Sequence, residues 1–121
     1  MAERSVKAAR SVKIEVQNDT GRTLNKVSES LAHGTWRDTP PNSIGGAGSW
    51  ESESDGVATG TEGTASYNID GGGTVVFYWN NPYIGSNDYR IDCSSGYTGR
   101  REGGSGDNAT VKFSWDERSR A

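Results

Sequence analysis

"TVVFYWNNP", residues Thr74 to Pro82, is the most apolar stretch of the chain and sets its fold class. In an extended backbone successive side chains point to opposite faces, so Val75, Phe77 and Trp79 share one side and Val76 and Tyr78 the other. A strand apolar on both faces is expected at the centre of a sheet, covered on both sides. Asn80, Asn81 and Pro82 end it, because Pro has no N–H to donate and Asn favours turns. Upstream, "DGGG" (Asp70 to Gly73) reads as the hairpin turn that leads in.

The same alternation recurs outward from this strand. "SVKIEVQ" (Ser11 to Gln17) places Val12, Ile14 and Val16 on one face and Lys13, Glu15 and Gln17 on the other. Near the end of the chain Ala109, Val111, Phe113 and Trp115 alternate with Thr110, Lys112, Ser114 and Asp116, the most regular pattern present. "TLNKVSESL", "SWESES" and "TGTEGTASYNI" add shorter or less regular strands. Between them lie turns, "NDTG" and "GGSGDN", and a polar loop over 32–48 whose Pro40-Pro41 pair and glycines exclude a helix. About eight short strands with no convincing helix predict an all-β, single-domain antiparallel β-sandwich. The expected layout is a flexible basic segment over 1–10, the sandwich over 11–116 and a charged tail over 117–121.

Composition narrows the function. Glycine supplies 17 of 121 residues against only 3 prolines, which suits many tight turns in a folded chain. Thirteen Lys and Arg against 16 Asp and Glu leave a net charge of -3, a poor match for a nucleic-acid binder or for a partner held by anionic-lipid electrostatics. Cys93 is the single cysteine, so neither an intrachain disulfide nor a thiolate zinc cluster can form, and it reads as a buried or half-buried strand residue. No apolar run is long enough for a spanning helix, and the first residues lack the apolar stretch of a secretory signal. The expectation is synthesis in the cytoplasm, with release or storage in inclusions and action at a target membrane surface.

Catalysis has little to build on. His33, the only histidine, sits beside Gly34 in the polar loop, and no serine carries the G-x-S-x-G elbow. Glu51 and Glu53 would lie about 6.5–7 Å apart on one strand face, a spacing glycosidases use, yet solvated strands carry such pairs routinely. Single turn acids at Asp19, Asp70, Asp88 and Asp107 lack the spacing of a calcium loop. The chain reads as a non-enzyme without cofactor or metal.

The aromatic inventory carries more. Four tryptophans and five tyrosines are many large rings for a chain that is 31% hydrophobic. Phe77, Phe113 and Trp115 fit the strand alternation and belong to the core, as does Trp79 at the end of its strand. Tyr83 and Tyr89 follow the strand-ending Pro82, and Trp36 lies in the long loop, so all three are expected on loops. Rings with a polar tip suit a membrane interface, a sugar face or a choline-like cation.

"GVATGTEG" (Gly56 to Gly63) followed by an apolar strand, and "YWNNPYIGSN" (Tyr78 to Asn87), resemble the bacterial branch of the aegerolysin family, which includes a parasporal crystal protein. The likeness runs from about Val12 to Phe113. It implies a small β-sandwich that recognises membrane lipids, often sphingolipids with sterol or ceramide phosphoethanolamine, and that in several members is lytic with a larger perforin-like partner. A more distant resemblance, to actinoporins, rests on "VATG" and on the strand leading into Pro82-Tyr83, then an Asn and a Tyr. Residues in these places line a phosphocholine pocket there, which implies headgroup roles for Val57, Asn80, Pro82, Tyr83 and Tyr89, with Tyr78 and Asn87 nearby. Trp36 is the expected interfacial aromatic. "MAERSVKAAR" is too short and too charged to act as the inserting segment of actinoporins, so a pore would need a partner. Together these imply a cytolysin- or hemolysin-type lipid-binding protein, able to oligomerise. The alternatives are a lectin-like carbohydrate-binding module and a self-assembling crystal protein.

Overall fold

In the computed structural model, which describes residues 8–117, ten strands follow one another: β1 (Ser11–Asn18), β2 (Leu24–His33), β3 (Thr35–Asp38), β4 (Ser43–Ile44), β5 (Ala47–Glu53), β6 (Thr61–Ile69), β7 (Thr74–Asn81), β8 (Asp88–Cys93), β9 (Tyr97–Gly103) and β10 (Asn108–Glu117). They form two five-stranded sheets, β3-β5-β1-β10-β9 and β4-β2-β6-β7-β8, packed face to face. The described residues include no helix. Apart from 8–10 and Glu117, the expected N-terminal segment over 1–10 and tail over 117–121 lie outside the described residues.

The protein is thus the expected all-β sandwich, with one departure from antiparallel pairing. β1 runs parallel to β10, Ser11 opposite Asn108 through Asn18 opposite Trp115, while its other edge pairs antiparallel with β5. The two most regular amphipathic patterns in the sequence therefore lie side by side. Their inward residues, Val12, Ile14 and Val16 beside Val111, Phe113 and Trp115, make one buried floor. Trp50 of β5 extends it, and Leu24, Ala65, Tyr67, Ile69, Val75, Phe77 and Trp79 of the second sheet close over it.

Large rings bridge the sheets in series. Trp50 packs edge-on to Phe77 (5.7 Å between centroids) and to Trp79 (5.8 Å), and Phe77 lies 5.5 Å from Phe113. These contacts add about 0.5–1.5 kcal/mol each beyond simple burial. Trp79 is also held by its indole N–H, which donates to Ser52 Oγ at 2.9 Å, and Ser52 Oγ in turn meets Thr61 Oγ1 at 2.7 Å. This short polar chain fixes β5 of one sheet to β6 and β7 of the other.

Two expectations change. β7 is covered on one side only: Val75, Phe77, Trp79 and Asn81 are buried, whereas Val76, Tyr78 and Asn80 are half-buried on the outer face. Among the described residues no second layer covers that face. The Arg90 guanidinium lies 4.4 Å from the Tyr78 ring, and the Tyr78 hydroxyl donates to Glu62 Oε2. The polar loop over 32–48 contains β3, β4 and the start of β5, and His33 closes β2. Trp36 accordingly lies in β3 rather than on a loop, half-buried, its ring 5.9 Å from Trp79, because pairing with β5 turns it onto the core.

Tyr67 is buried with its hydroxyl donating to Pro41 O at 2.7 Å, and burial raises its pKa well above the ordinary 10, helped by the charge of Glu29. The folded state therefore holds this proton more tightly than the unfolded chain. The associated stability is whole below pH 10 and is lost as pH climbs from there through the raised folded value. In urea titrations the midpoint of the wild type is expected to fall above pH 10, and Tyr67→Phe to flatten that fall.

Candidate functional site

One end of the sandwich gathers the β5–β6, β7–β8 and β9–β10 loops together with residues 8–10. The end of β7 is their common support. Asn81 follows Val75, Phe77 and Trp79 in the inward set and is only 1% exposed. Its side-chain amide donates to Ser11 O (3.1 Å), Gly106 O (3.2 Å) and Asp107 O (2.9 Å), tying β7 to the starts of β1 and β10. The sequence marks Asn81 as a turn former; its parity with Trp79 was the signal for burial.

Arg10 binds the same loops from outside. Its backbone exchanges hydrogen bonds with Ser54, N–H to Ser54 Oγ and Ser54 N–H to its carbonyl. Its guanidinium donates to Pro82 O (3.3 Å) and Tyr83 O (2.9 Å), lies 4.6 Å from the centre of the Tyr83 ring, and is 3.6 Å from Asp107. Nothing in the sequence alone distinguished Arg10 from the other basic residues near it.

Between these loops runs a groove of about 450 Å³. Pro82, Tyr83, Asn87 and Tyr89 line it, facing Arg10, Arg101 and the glycine-rich Gly103–Asp107 turn. Tyr89 is not on a loop as expected. It belongs to β8, opposite Trp79, and is 7% exposed because it completes the core under the groove. Its hydroxyl donates to Gly104 O at 2.8 Å, and the Arg101 guanidinium sits 5.3 Å from its ring. Burial raises its pKa, while the Asn87 hydrogen bond and the Arg101 charge work the other way. Gly104 has φ +99, and a Cβ there would stand 2.5 Å from the Tyr89 ring, so this wall admits glycine alone. Asn87 donates from Nδ2 to Gly104 O (2.8 Å) and Gly106 O (3.0 Å), closing the β9–β10 turn onto the β7–β8 loop.

A second, smaller cavity of about 360 Å³ lies on the other side of Tyr83. Asn80, Pro82, Tyr83 and Ile84 form one wall, Ala58 to Glu62 the other, and His33 stands at its margin. A Cβ on Gly60 would come within 2.6 Å of Asn81 O and 2.7 Å of Pro82 Cα, so the β5–β6 loop rests directly on the β7–β8 loop there. Ala58 holds φ 56, a conformation costing roughly 1 kcal/mol or more outside glycine. Thr59 Oγ1 braces that loop by donating to Asp55 O and Gly56 O.

Of the residues singled out from the sequence, Pro82 and Tyr83 thus border both cavities, Asn87 and Tyr89 the first, and Asn80 the second. Val57 stands at the exposed tip of the β5–β6 loop beside Ala58. Tyr78 lies on the outer face of β7, linked to the second cavity only through Glu62. Tyr83, at 41% exposure, is the one aromatic among them with a large open surface.

The catalytic candidates have structural partners. Arg37 lies 3.9 Å from Glu51 and 3.8 Å from Glu53, and His33 Nε2 is 3.8 Å from Glu62. Among the described residues no group of three or more His, Cys, Asp or Glu is placed to hold a metal ion.

No protein-family model matches the sequence. An uncharacterized protein of Dictyostelium discoideum is 29% identical over an alignment of 108 residues that covers 86% of this chain and 10% of that protein. The chain therefore spans about a tenth of the length of the curated relative it matches. Among solved structures, the lipid binding protein Nakanori superposes with a TM-score of 0.82 at 16% identity, over 94% of this chain and 73% of that one. RahU, solved with a TRIS molecule, gives 0.78 at 16% identity over 93% and 98%. IP-1A from Alcaligenes faecalis gives 0.69 at 19% identity over 93% and 94%. At these identities the likeness establishes a shared sandwich fold.

Asn81→Ala removes a buried amide shared by three carbonyls, of which Gly106 O keeps Asn87 Nδ2 and Asp107 O keeps the Ser11 N–H, and is expected to destabilise the protein by roughly 1–2 kcal/mol in urea or thermal unfolding. Asn87→Ala, whose hydrogen bonds lie nearer the surface, is expected to cost about 1 kcal/mol.

Proposed function

We propose that this protein is a lipid-headgroup-binding protein of the aegerolysin type, from the bacterial branch of that family, and that it docks on membranes through the loop end of the sandwich. The observation that carries this reading is the groove of about 450 Å³ in which Tyr83 stands open beside two guanidinium groups. Its volume is within the range of small-ligand pockets, about 300–1,000 Å³. Its walls combine ring faces with polar groups that are already positioned by hydrogen bonds. The sandwich it shares with a lipid binding protein supports the same reading.

In this reading a headgroup enters between Tyr83 and the Gly103–Asp107 turn. Arg101, on the exposed rim, supplies charge-assisted donors for a phosphate. Tyr83 offers its ring and hydroxyl, and Asn87 and Tyr89 keep the walls in place. Arg10 acts mainly by holding Tyr83 and Asp107, since its donors are already committed. The headgroup belongs to a sphingolipid, and lysis requires a perforin-like partner, a reading supported by the resemblance to aegerolysins. The protein is made in the cytoplasm and acts at the surface of a target membrane. No enzymatic step is assigned to it.

The test is co-sedimentation with vesicles of phosphatidylcholine alone, with sphingomyelin and cholesterol, and with ceramide phosphoethanolamine. Pelleting with one sphingolipid mixture is expected. Tyr83→Ala is expected to weaken it by about tenfold or more, since losing a buried aromatic contact is worth about 1.5–3 kcal/mol, while the exposed position leaves Tm nearly unchanged. Tyr89 is unsuited to this test because its removal would open the core. Equal pelleting of Tyr83→Ala would displace the site, and retention on a glycan array without any vesicle binding would replace lipid by sugar.

A further inference from the structure

Two aliphatic side chains at the loop end are almost fully exposed: Val57 at 96% and Ile84 at 85%. Neither helps the fold, since neither belongs to the core, and large aliphatics held this openly in a well-packed domain commonly mark a contact surface. They stand on different loops. Ile84 is on the wall of the cavity of about 360 Å³, and Val57 immediately precedes Ala58 of the opposite wall. The close approach at Gly60 fastens these loops to each other, and the Thr59 hydrogen bonds brace the turn that displays Val57. The pair is therefore presented on built loops rather than on a loose tip.

We infer that Val57 and Ile84 form a two-point apolar anchor that enters the acyl–headgroup boundary of a bilayer while the adjacent groove takes the headgroup, an inference that rests on the lipid-binding reading above. Val57 then penetrates the bilayer instead of contacting the headgroup, and Ile84, which lies within "YWNNPYIGSN" but had no role assigned, joins the site.

Size and charge favour a lipid surface over a protein partner. A stable protein interface engages about 20–30 residues a side around an apolar centre. Here the exposed large hydrophobics at this end are Val57, Ile84 and Tyr83, and polar side chains surround them. A bilayer accepts such a small wedge because it closes around each side chain separately. The charges nearby are of both signs, with Arg10 paired to Asp107 and Glu62 beside His33, so the anchor must act by burial rather than by attraction to anionic lipid.

The experiment compares wild type, Val57→Ser, Ile84→Ser, the double variant, Ile84→Leu and Tyr83→Ala on the three vesicle mixtures above. Each Ser change is expected to weaken partition by about tenfold and the double change by about a hundredfold. Ile84→Leu should bind as wild type, and binding should change little between about 0.1 and 1 M NaCl, where surface charge is screened. In a Cys93→Ser background, an environment-sensitive dye on Ile84→Cys should shift to the blue on vesicles and be quenched by nitroxides placed just below the headgroups. If the Ser variants pellet fully while Tyr83→Ala does not, the anchor is overturned and the headgroup site stands. If wild type pellets with no mixture, both fall. If the Ser changes instead abolish a concentration-dependent dimer seen by ultracentrifugation without vesicles, the patch is a self-contact and the anchor is overturned.

Discussion

A primary amide with two hydrogens and three carbonyl partners holds the working end of this molecule together. Asn81 sits where β7 of the second sheet leaves the core, and it reaches Ser11 and Asp107 of the first. Ser11 N–H also donates to Asp107 O, so β1, β7 and the lead into β10 share one knot of hydrogen bonds. Side-chain packing between two stacked sheets leaves some freedom to slide, which the Trp79–Ser52–Thr61 hydrogen bonds limit in the interior. The Asn81 amide removes that freedom at the end where the groove lies, so the groove walls contributed by different sheets keep a fixed separation.

The aromatic series extends this rigidity inward. Trp79, Trp50, Phe77 and Phe113 form a buried line across the sandwich, and Tyr89 continues it to the groove floor. Tyr89 is thus part of the core, and the groove ring that stays open is Tyr83, held by Arg10; under the proposed function it is the ring offered to a ligand. Recognition surfaces gain from this division, because binding does not have to order the groups that make contact.

What the sequence made legible follows from what each strand can specify alone. β1 and β10 alternate strongly, so their existence and inward faces were readable from Val12, Val111 and their neighbours, whereas β7, apolar on both faces, was readable as a strand but not as one covered on a single side. Their pairing was not, since the parallel match of β1 with β10 depends on the course of the whole chain. β3 and β4, with four and two residues, carry no periodicity and exist because β5 and β2 offer edges to them, which is why Trp36 read as a loop residue. Tyr89 read as a loop residue for a related reason: the turn after Pro82 is short, and β8 restarts within six residues of it. At the site, motif likeness pointed to the β5–β6 and β7–β8 loops. The Arg10 clamp and the exposure of Ile84 depend on contacts and open space, neither of which a pattern of residue types encodes.

The parallel register of β1 and β10 also gives the molecule a polarity. Ser11 and Asn108 begin their strands together at the groove end, and Asn18 and Trp115 finish together at the far end. A chain entering β1 must pass Tyr83, where Arg10 already lies, while a chain leaving β10 departs on the side turned away from the groove. Within the described residues, Glu117 thus stands at the end of the sandwich remote from the groove, whereas Arg10 stands at its mouth. The sandwich in this sense has a gate side and a handle side.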